Sequence, residues 1–328
     1  MRSSILLAVL FTFSLVANAQ YSKDDDRERQ RIAESKIKTS IQWTHRYAQG
    51  KPASEGYKTT ETHFDKAGNA VEVLNYRSTG DISSKLLYKY NDKNQRVEYL
   101  MYQKEKDAKE LKLTYKQAFH YNEKGLKVTE VVFDGIAGYK ITYSYLPNGS
   151  LKEIIKYNSS NAAAEKWEYT YSGLSHEINV LGPANQTIST VKKKMDAKGN
   201  VLEDTKFGAN GKEQKRIVNV YDDKSRVVEM AEYFSGNLTK KLFYKYNNLD
   251  VVVEIVQQNP DGSKFTQASY KHDTSGNLLE ERWSEDESPE LSSKQVKYDK
   301  DGNLIEVDSY YAPYKYRVLY KYSYEFFK

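Results

Sequence analysis

The sequence predicts an all-β repeat protein, with about ten β-hairpins of 25–26 residues forming a long antiparallel meander that coils under a short N-terminal helix. Three observations predict it. The pattern aromatic-x-aromatic-Asp/Asn-x-x-Gly-x-Leu/Val-x-Glu recurs along most of the chain. Its beat is even: aligned on the aromatic before the turn, Phe64, Tyr90, Tyr121, Tyr145, Tyr171, Met195, Tyr221, Tyr246, His272 and Tyr298 follow one another at 26, 31, 24, 26, 24, 26, 25, 26 and 26 residues. The composition suits half-exposed strands, with 29 Tyr against 11 Phe and 29% charged residues. Tyrosine joins a large apolar ring to a polar tip.

The first 19 residues read as an export signal, residues 1–19. Arg2 is followed by an apolar run from Ile5 to Val16 and the small-x-small pattern Ala17-Asn18-Ala19. Such a run is below the roughly 20 residues a spanning helix needs. Residues 20–50 form an N-terminal cap of helix plus first strand: "DRERQRIAESKIK" (26 to 38) has helical propensity with Ile32 and Ile37 as apolar positions. A hairpin with its loop at Gly50 to Gly56 then feeds the repeats, which occupy 51–328. The long interval between Tyr90 and Tyr121 contains the charged insertion "QKEKDAKELK". The chain closes on the strand "YRVLYKYSYEFFK".

Within each unit the tetrads "DKAG", "NEKG", "DAKG", "DTSG" and "DKDG" place Asp or Asn first and Gly fourth. Those are type I turn preferences, and a glycine at positive φ closes a three-residue hairpin loop with a bulge. Asn94, Ser225 and Asp250 replace the glycine in three units and must take the same left-handed conformation. In this register Tyr298 faces Leu304 and Val296 faces Glu306, so Tyr, Leu, Glu and Tyr310 share one face. Lys297, Ile305, Val307 and Ser309 take the other, and both faces are mixed. Roughly 20 strands exceed what an open twisted sheet carries without curling or splitting, so the sheet must coil or fold back.

The clearest units, "YDKDGNLIEV", "HDTSGNLLEE" and "MDAKGNVLED", resemble the YD repeats of the bacterial RHS family. The resemblance covers about four fifths of the chain and implies extended, spirally coiled β-sheets. In large members these form a hollow shell around a C-terminal toxin, and some members are credited with carbohydrate or cell-surface binding. Ten units are too few for a full shell. After Lys328 the sequence has no counterpart of the effector.

Chemistry-bearing residues follow the beat instead of breaking it. Glu72, Glu98, Glu153, Glu203, Glu229, Glu254, Glu280 and Glu306 occupy equivalent positions. A carboxylate pair needs one member made different by its surroundings, which near-identical repeats do not provide. His45, His63, His120, His176 and His272 never pair at metal spacing. "DKDGN" at 299 to 303 lacks the twelfth-position Glu of a calcium loop, and "GANGK" lacks the span of a phosphate loop. Without cysteine the chain has no disulfide, thiolate nucleophile, Cys-ligated metal or lipidated cysteine. With 50 Lys+Arg against 45 Asp+Glu and no long single-sign block, nothing marks a nucleic-acid partner.

The expectation is a non-enzymatic exported scaffold of the bacterial envelope, periplasmic, cell-surface or extracellular, with no cofactor, no metal site and no transmembrane segment after signal removal. It would recognise a glycan or protein over a tyrosine-rich sheet. The candidate binding residues are the aromatic pairs Tyr88 and Tyr90, Tyr143 and Tyr145, Tyr169 and Tyr171, Tyr244 and Tyr246, and Tyr320 and Tyr322. An outer-membrane β-barrel is the alternative, opposed by charges on both faces; a glycan-processing enzyme is a second, with room in the irregular stretches 103 to 112, 158 to 166 and 284 to 293.

Overall fold

The computed structural model describes residues 26–105, 108–284 and 290–328. The expected signal at 1–19, and parts of the stretches at 103 to 112 and 284 to 293, lie outside the described residues.

A helix over 26–34 leads into the strands. These are β1 (Ile37–Ala48), β2 (Lys51–Pro52), β3 (Tyr57–Phe64), β4 (Ala70–Tyr76), β5 (Ile82–Tyr90), β6 (Arg96–Gln103), β7 (Lys112–Tyr121), β8 (Lys127–Phe133), β9 (Gly138–Tyr145), β10 (Leu151–Tyr157), β11 (Ala163–Ser172) and β12 (Ser175–Leu181). There follow β13 (Thr187–Met195), β14 (Val201–Gly208), β15 (Glu213–Tyr221), β16 (Val227–Phe234), β17 (Asn237–Tyr246), β18 (Val252–Gln258), β19 (Lys264–His272), β20 (Leu278–Trp283), β21 (Ser292–Tyr298), β22 (Leu304–Tyr311) and β23 (Tyr316–Phe326). From β3 onward each strand pairs antiparallel with the next, and β2 is a two-residue spur on β1.

The open, coiling meander expected from the sequence is corrected here to a closed barrel. β1 pairs with β3 on one side and with β23 on the other, from Ile37↔Phe326 to Arg46↔Val318. The ring therefore has 22 strands and no free edge. Two long alternating segments, one near each end of the repeats, would otherwise be edge strands with unpaired N–H and C=O groups; joining them satisfies both rows. The helix lies across this seam instead of capping an edge. Arg31 donates to the Asn303 side chain at 2.9 Å and Arg29 to the Ala67 carbonyl at 3.2 Å. Ile32 of the helix and Ile37 of β1 are both buried. Gly68 allows this approach, since a Cβ there would stand 2.0 Å from the Arg29 carbonyl oxygen.

The ten hairpin turns of the repeat line the same end of the barrel as the helix; the other connections, among them the long ones at 49–56, 104–111 and 284–291, line the opposite end, here called the loop end. In the turn of "DKDGN", Asp299 Oδ1 accepts from the amides of Asp301 and Asn303, and the Gly302 amide reaches the Asp299 carbonyl with φ +79°. Asn94, Ser225 and Asp250 take φ of 58°, 64° and 61°, as their glycine-equivalent places require.

The expected register is right for one pair and wrong beyond it. Tyr298 faces Leu304, but the next pair is Lys297↔Glu306 and then Val296↔Val307. One residue of the returning strand is bulged out, and a one-residue slip exchanges faces. The same shift recurs at nine of the ten repeat turns. Its effect is to sort the wall. Glutamate joins the lysine before the tyrosine on one face, while tyrosine joins valine, isoleucine and leucine on the other.

Candidate functional site

On the charged face the repeat produces cross-strand ion pairs: Lys89–Glu98 at 2.7 Å, Lys194–Glu203 at 3.1 Å, Lys271–Glu280 at 2.8 Å, Lys297–Glu306 at 2.6 Å, and Lys245–Glu254. These lysines are largely exposed, so each pair contributes little stability, in the range of about 0–1 kcal/mol. Their product is a polar wall.

The ten candidate tyrosines all project from the other face and are half-buried. Tyr88 stacks on Tyr99 with centroids 5.1 Å apart, and Tyr99 meets Tyr115 at 5.7 Å. Many of their hydroxyls are committed within the wall. Tyr90 donates to the carbonyl of Ala70 (3.1 Å), Tyr145 to Lys127 (2.6 Å), Tyr171 to Leu151 (2.8 Å) and Tyr246 to Val227 (2.8 Å). Tyr121, Tyr221 and Tyr324, outside the candidate set, do the same to Arg96, Val201 and Leu304. In every case the acceptor belongs to the preceding hairpin and lies two residues outside the first ladder pair, where the bulge has ended the pairing. Tyr143 donates to Glu130 at 3.0 Å, and Tyr322 accepts from Gln42 at 3.1 Å. Tyr169, Tyr244 and Tyr320 fill the same face. What these tyrosines offer a ligand is ring surface more than hydroxyls.

Of the three non-tyrosine residues at this position, Phe64 and Met195 fit this rule. Phe64 has no preceding hairpin at its end of the barrel. Met195 follows the tight turn Ser172↔Ser175, which carries no bulge, so its amide bonds the Leu174 carbonyl at 2.8 Å and no hydroxyl is needed. His272 and Tyr298 depart from it: the His272 Nδ1 is buried without a hydrogen-bond partner, and the Tyr298 hydroxyl makes no bond to the hairpin before it among the described residues.

Two constellations on the tyrosine face escaped the sequence reading. Glu130 stands one residue past the usual glutamate position and so turns onto this face. There it is only 7% exposed and accepts from Lys127 (2.9 Å), Gln117 (2.5 Å) and Tyr143. The second crosses β13 to β17. Lys193 pairs with Asp204 at 2.6 Å, Lys206 lies directly opposite Lys215, and Glu232 holds Lys215 at 2.6 Å and Lys240 at 3.5 Å. A signal was present: two residues before the turn aromatic, where other units carry Tyr88, Tyr143, Tyr169 or Tyr244, these carry Lys193 and Asn219. A concavity of about 810 Å³ over Tyr121, Tyr143 and Tyr145 is open to solvent.

Fold and faces define a closed antiparallel β-barrel with one charged and one aromatic-aliphatic wall. No protein-family model matches the chain, and no curated protein matches it. Among solved structures it is similar to a porin-like protein from Bacteroides uniformis ATCC 8492, at 10% identity over 88% of this chain and 98% of that one, with a TM-score of 0.32. A porin-like protein from Bacteroides vulgatus ATCC 8482 gives 10% identity over 88% and 98%, with a TM-score of 0.25. The crystal structure of TcdB2-TccC3-Cdc42 gives 12% identity and a TM-score of 0.28; this chain matches over 82% of its length and spans 18% of that chain. Likenesses this distant carry no argument about activity.

Proposed function

We propose that this protein is a β-barrel of the bacterial outer membrane, with the tyrosine face toward lipid and the lysine–glutamate face lining a polar lumen. The observation that carries the reading is the β1–β23 ladder. An open sheet would present an extended adhesive surface, whereas a ring offers a wall, two mouths and an interior. Among β-sheets, only closed ones satisfy every backbone group in a bilayer.

The sorted faces support the same reading in part. The bulge carries the repeat glutamates across to the lysine side, while Lys156, Asp204, Lys206 and Glu281 stay on the tyrosine face. The middle row of the tyrosine face includes Val73, Leu86, Ile154, Ile178, Val191, Leu242, Ile255, Val296 and Val307. Aromatic residues flank it toward both ends, with Tyr90, Tyr145, Tyr171 and Tyr246 at the turn end and Tyr115, Tyr139, Trp283 and Tyr316 toward the loop end. Aromatic girdles at both interfaces are a mark of outer-membrane barrels. On this reading the candidate tyrosines are interfacial anchors rather than a glycan platform.

A barrel wetted on both sides is the second reading, favoured by strand length and by charges on the tyrosine face. Strands β4, β8, β10, β12, β18 and β21 have 7 residues each, against the 9–11 typical of a tilted membrane strand. Asp204 and the Glu281–Lys294 pair interrupt the apolar row.

Fractionation separates the two. A lipid-embedded barrel stays with envelope membranes through alkaline carbonate washing and leaves only with detergent. Release of the native protein by carbonate or salt alone would reject the membrane reading in favour of the second.

A further inference from the structure

The geometry points to a phosphate site for an anionic lipid headgroup on the tyrosine face at the loop end, built from Lys206, Lys215 and Lys240. It rests on the outer-membrane reading. Lys206 and Lys215 are directly opposed across the β14–β15 ladder, and Glu232 is shared between Lys215 and Lys240. Like charges directly opposite each other destabilise a sheet, so such a pair calls for a counter-charge. The one carboxylate at hand is already bridged. Among the described residues, no carboxylate lies within ion-pair distance of the Lys206 ammonium. Three cations against one anion leave a local excess of two positive charges.

Location selects the ligand. Lys206 and Lys215 lie two residues, and Lys240 three, from the loop ends of β14, β15 and β17, and Phe234, 63% exposed, is directly opposite Lys215. A free anion would need only the ammonium groups. An exposed aromatic ring beside them, on the face that reads as lipid-facing, fits a ligand carrying phosphate and acyl chain together. Lysines at such a level extend their charge toward the headgroups while their stems remain in apolar surroundings.

The test uses the full chain folded in zwitterionic detergent micelles, titrated separately with dioleoyl phosphatidylglycerol, dioleoyl phosphatidylcholine and inorganic phosphate, with bound lipid counted by native mass spectrometry. Saturable binding of phosphatidylglycerol over phosphatidylcholine is expected. Lys206→Ala and Lys215→Ala should each weaken it about fivefold, Lys206→Arg should retain it, and Lys300→Ala in a repeat turn should match the parent. Equal binding of the two lipids, or unchanged binding in Lys206→Ala, overturns the site. Inorganic phosphate displacing the lipid at equal concentration shows a simple anion site and overturns the headgroup assignment. Heat-modifiable migration on gels reports whether each variant is folded. Failure of the parent chain to remain in phosphatidylcholine bilayers would instead count against the outer-membrane reading itself.

Discussion

The hydroxyl of Tyr324 donates to the carbonyl of Leu304 at 2.6 Å, joining the closing strand to the bulge of the hairpin before it. Six other tyrosines repeat this bond around the barrel. It explains why the repeat demands tyrosine rather than phenylalanine: the ring fills the face, and the hydroxyl caps a carbonyl that the bulge has taken out of the ladder.

Removing one such hydroxyl should therefore cost more than its ring contact suggests. Tyr246→Phe is expected to destabilise the barrel by about 1 kcal/mol, the usual scale for a hydrogen bond whose loss leaves a part-buried acceptor. Phe64→Tyr should give no gain, because no carbonyl awaits it. Urea unfolding of the three proteins measures both, and a neutral Tyr246→Phe would remove the clamp from the account.

His272 offers the converse experiment. Its ladder ends at Glu254↔Ser269, so the equivalent acceptor is the Val252 carbonyl. His272→Tyr should restore the missing clamp and raise stability by about 1 kcal/mol. A decrease in the unfolding midpoint would mean that the histidine side chain has a role the other nine units lack.

The turns predict a sensitivity to acid. Asp196 is held below its ordinary pKa by the Asn200 side-chain amide and then by the Asn200 and Lys198 backbone amides; Asp273 is held below its own by Asn277 in the same order. A carboxylate with a depressed folded pKa contributes stability above its unfolded pKa, near 3.9, and that contribution is lost as pH falls through the folded value. Thermal midpoints of the parent should thus drop below about pH 4. Asp196→Asn with Asp273→Asn should show a shallower drop between pH 5 and pH 2, and parallel curves would refute the assignment.

Glycine at the turn should not be replaceable by a residue with a Cβ that lacks turn-forming polarity. Gly302 has φ +79°, and Gly302→Ala is expected to cost about 1–2 kcal/mol. Gly302→Asn, copying the natural choice at Asn94, should cost less. Equal stability of the two variants by denaturant titration would show that the left-handed turn is not what the glycine provides.

How much of this was legible in the sequence follows from which forces are local. The hairpin, its Asp anchor, the left-handed fourth position and the Tyr298–Leu304 pair depend on residues within one unit, and the spacing exposes them. The bulge beyond Leu304 was not legible. Tyr-x-Tyr and Leu-x-Glu each alternate cleanly on their own strand, and only the opposed backbones reveal that Glu306 meets Lys297 and not Val296. Closure was hidden for another reason. Ser40 and Tyr324 pair across the whole chain, and nothing in either segment names the other. Lys206 and Lys215 were visible as charges, but their shared face depended on the same unseen shift.

The seam also sets the order in which the wall can be completed. Every other ladder joins neighbours in sequence and can form as soon as its hairpin exists. The β1–β23 ladder must wait for both extremes of the chain to meet, and bringing such distant segments together carries the largest loop entropy in the molecule. Until that final step two sticky borders remain uncovered, so a chaperone or a surface that shelters them during maturation would govern yield more than any substitution within the repeats.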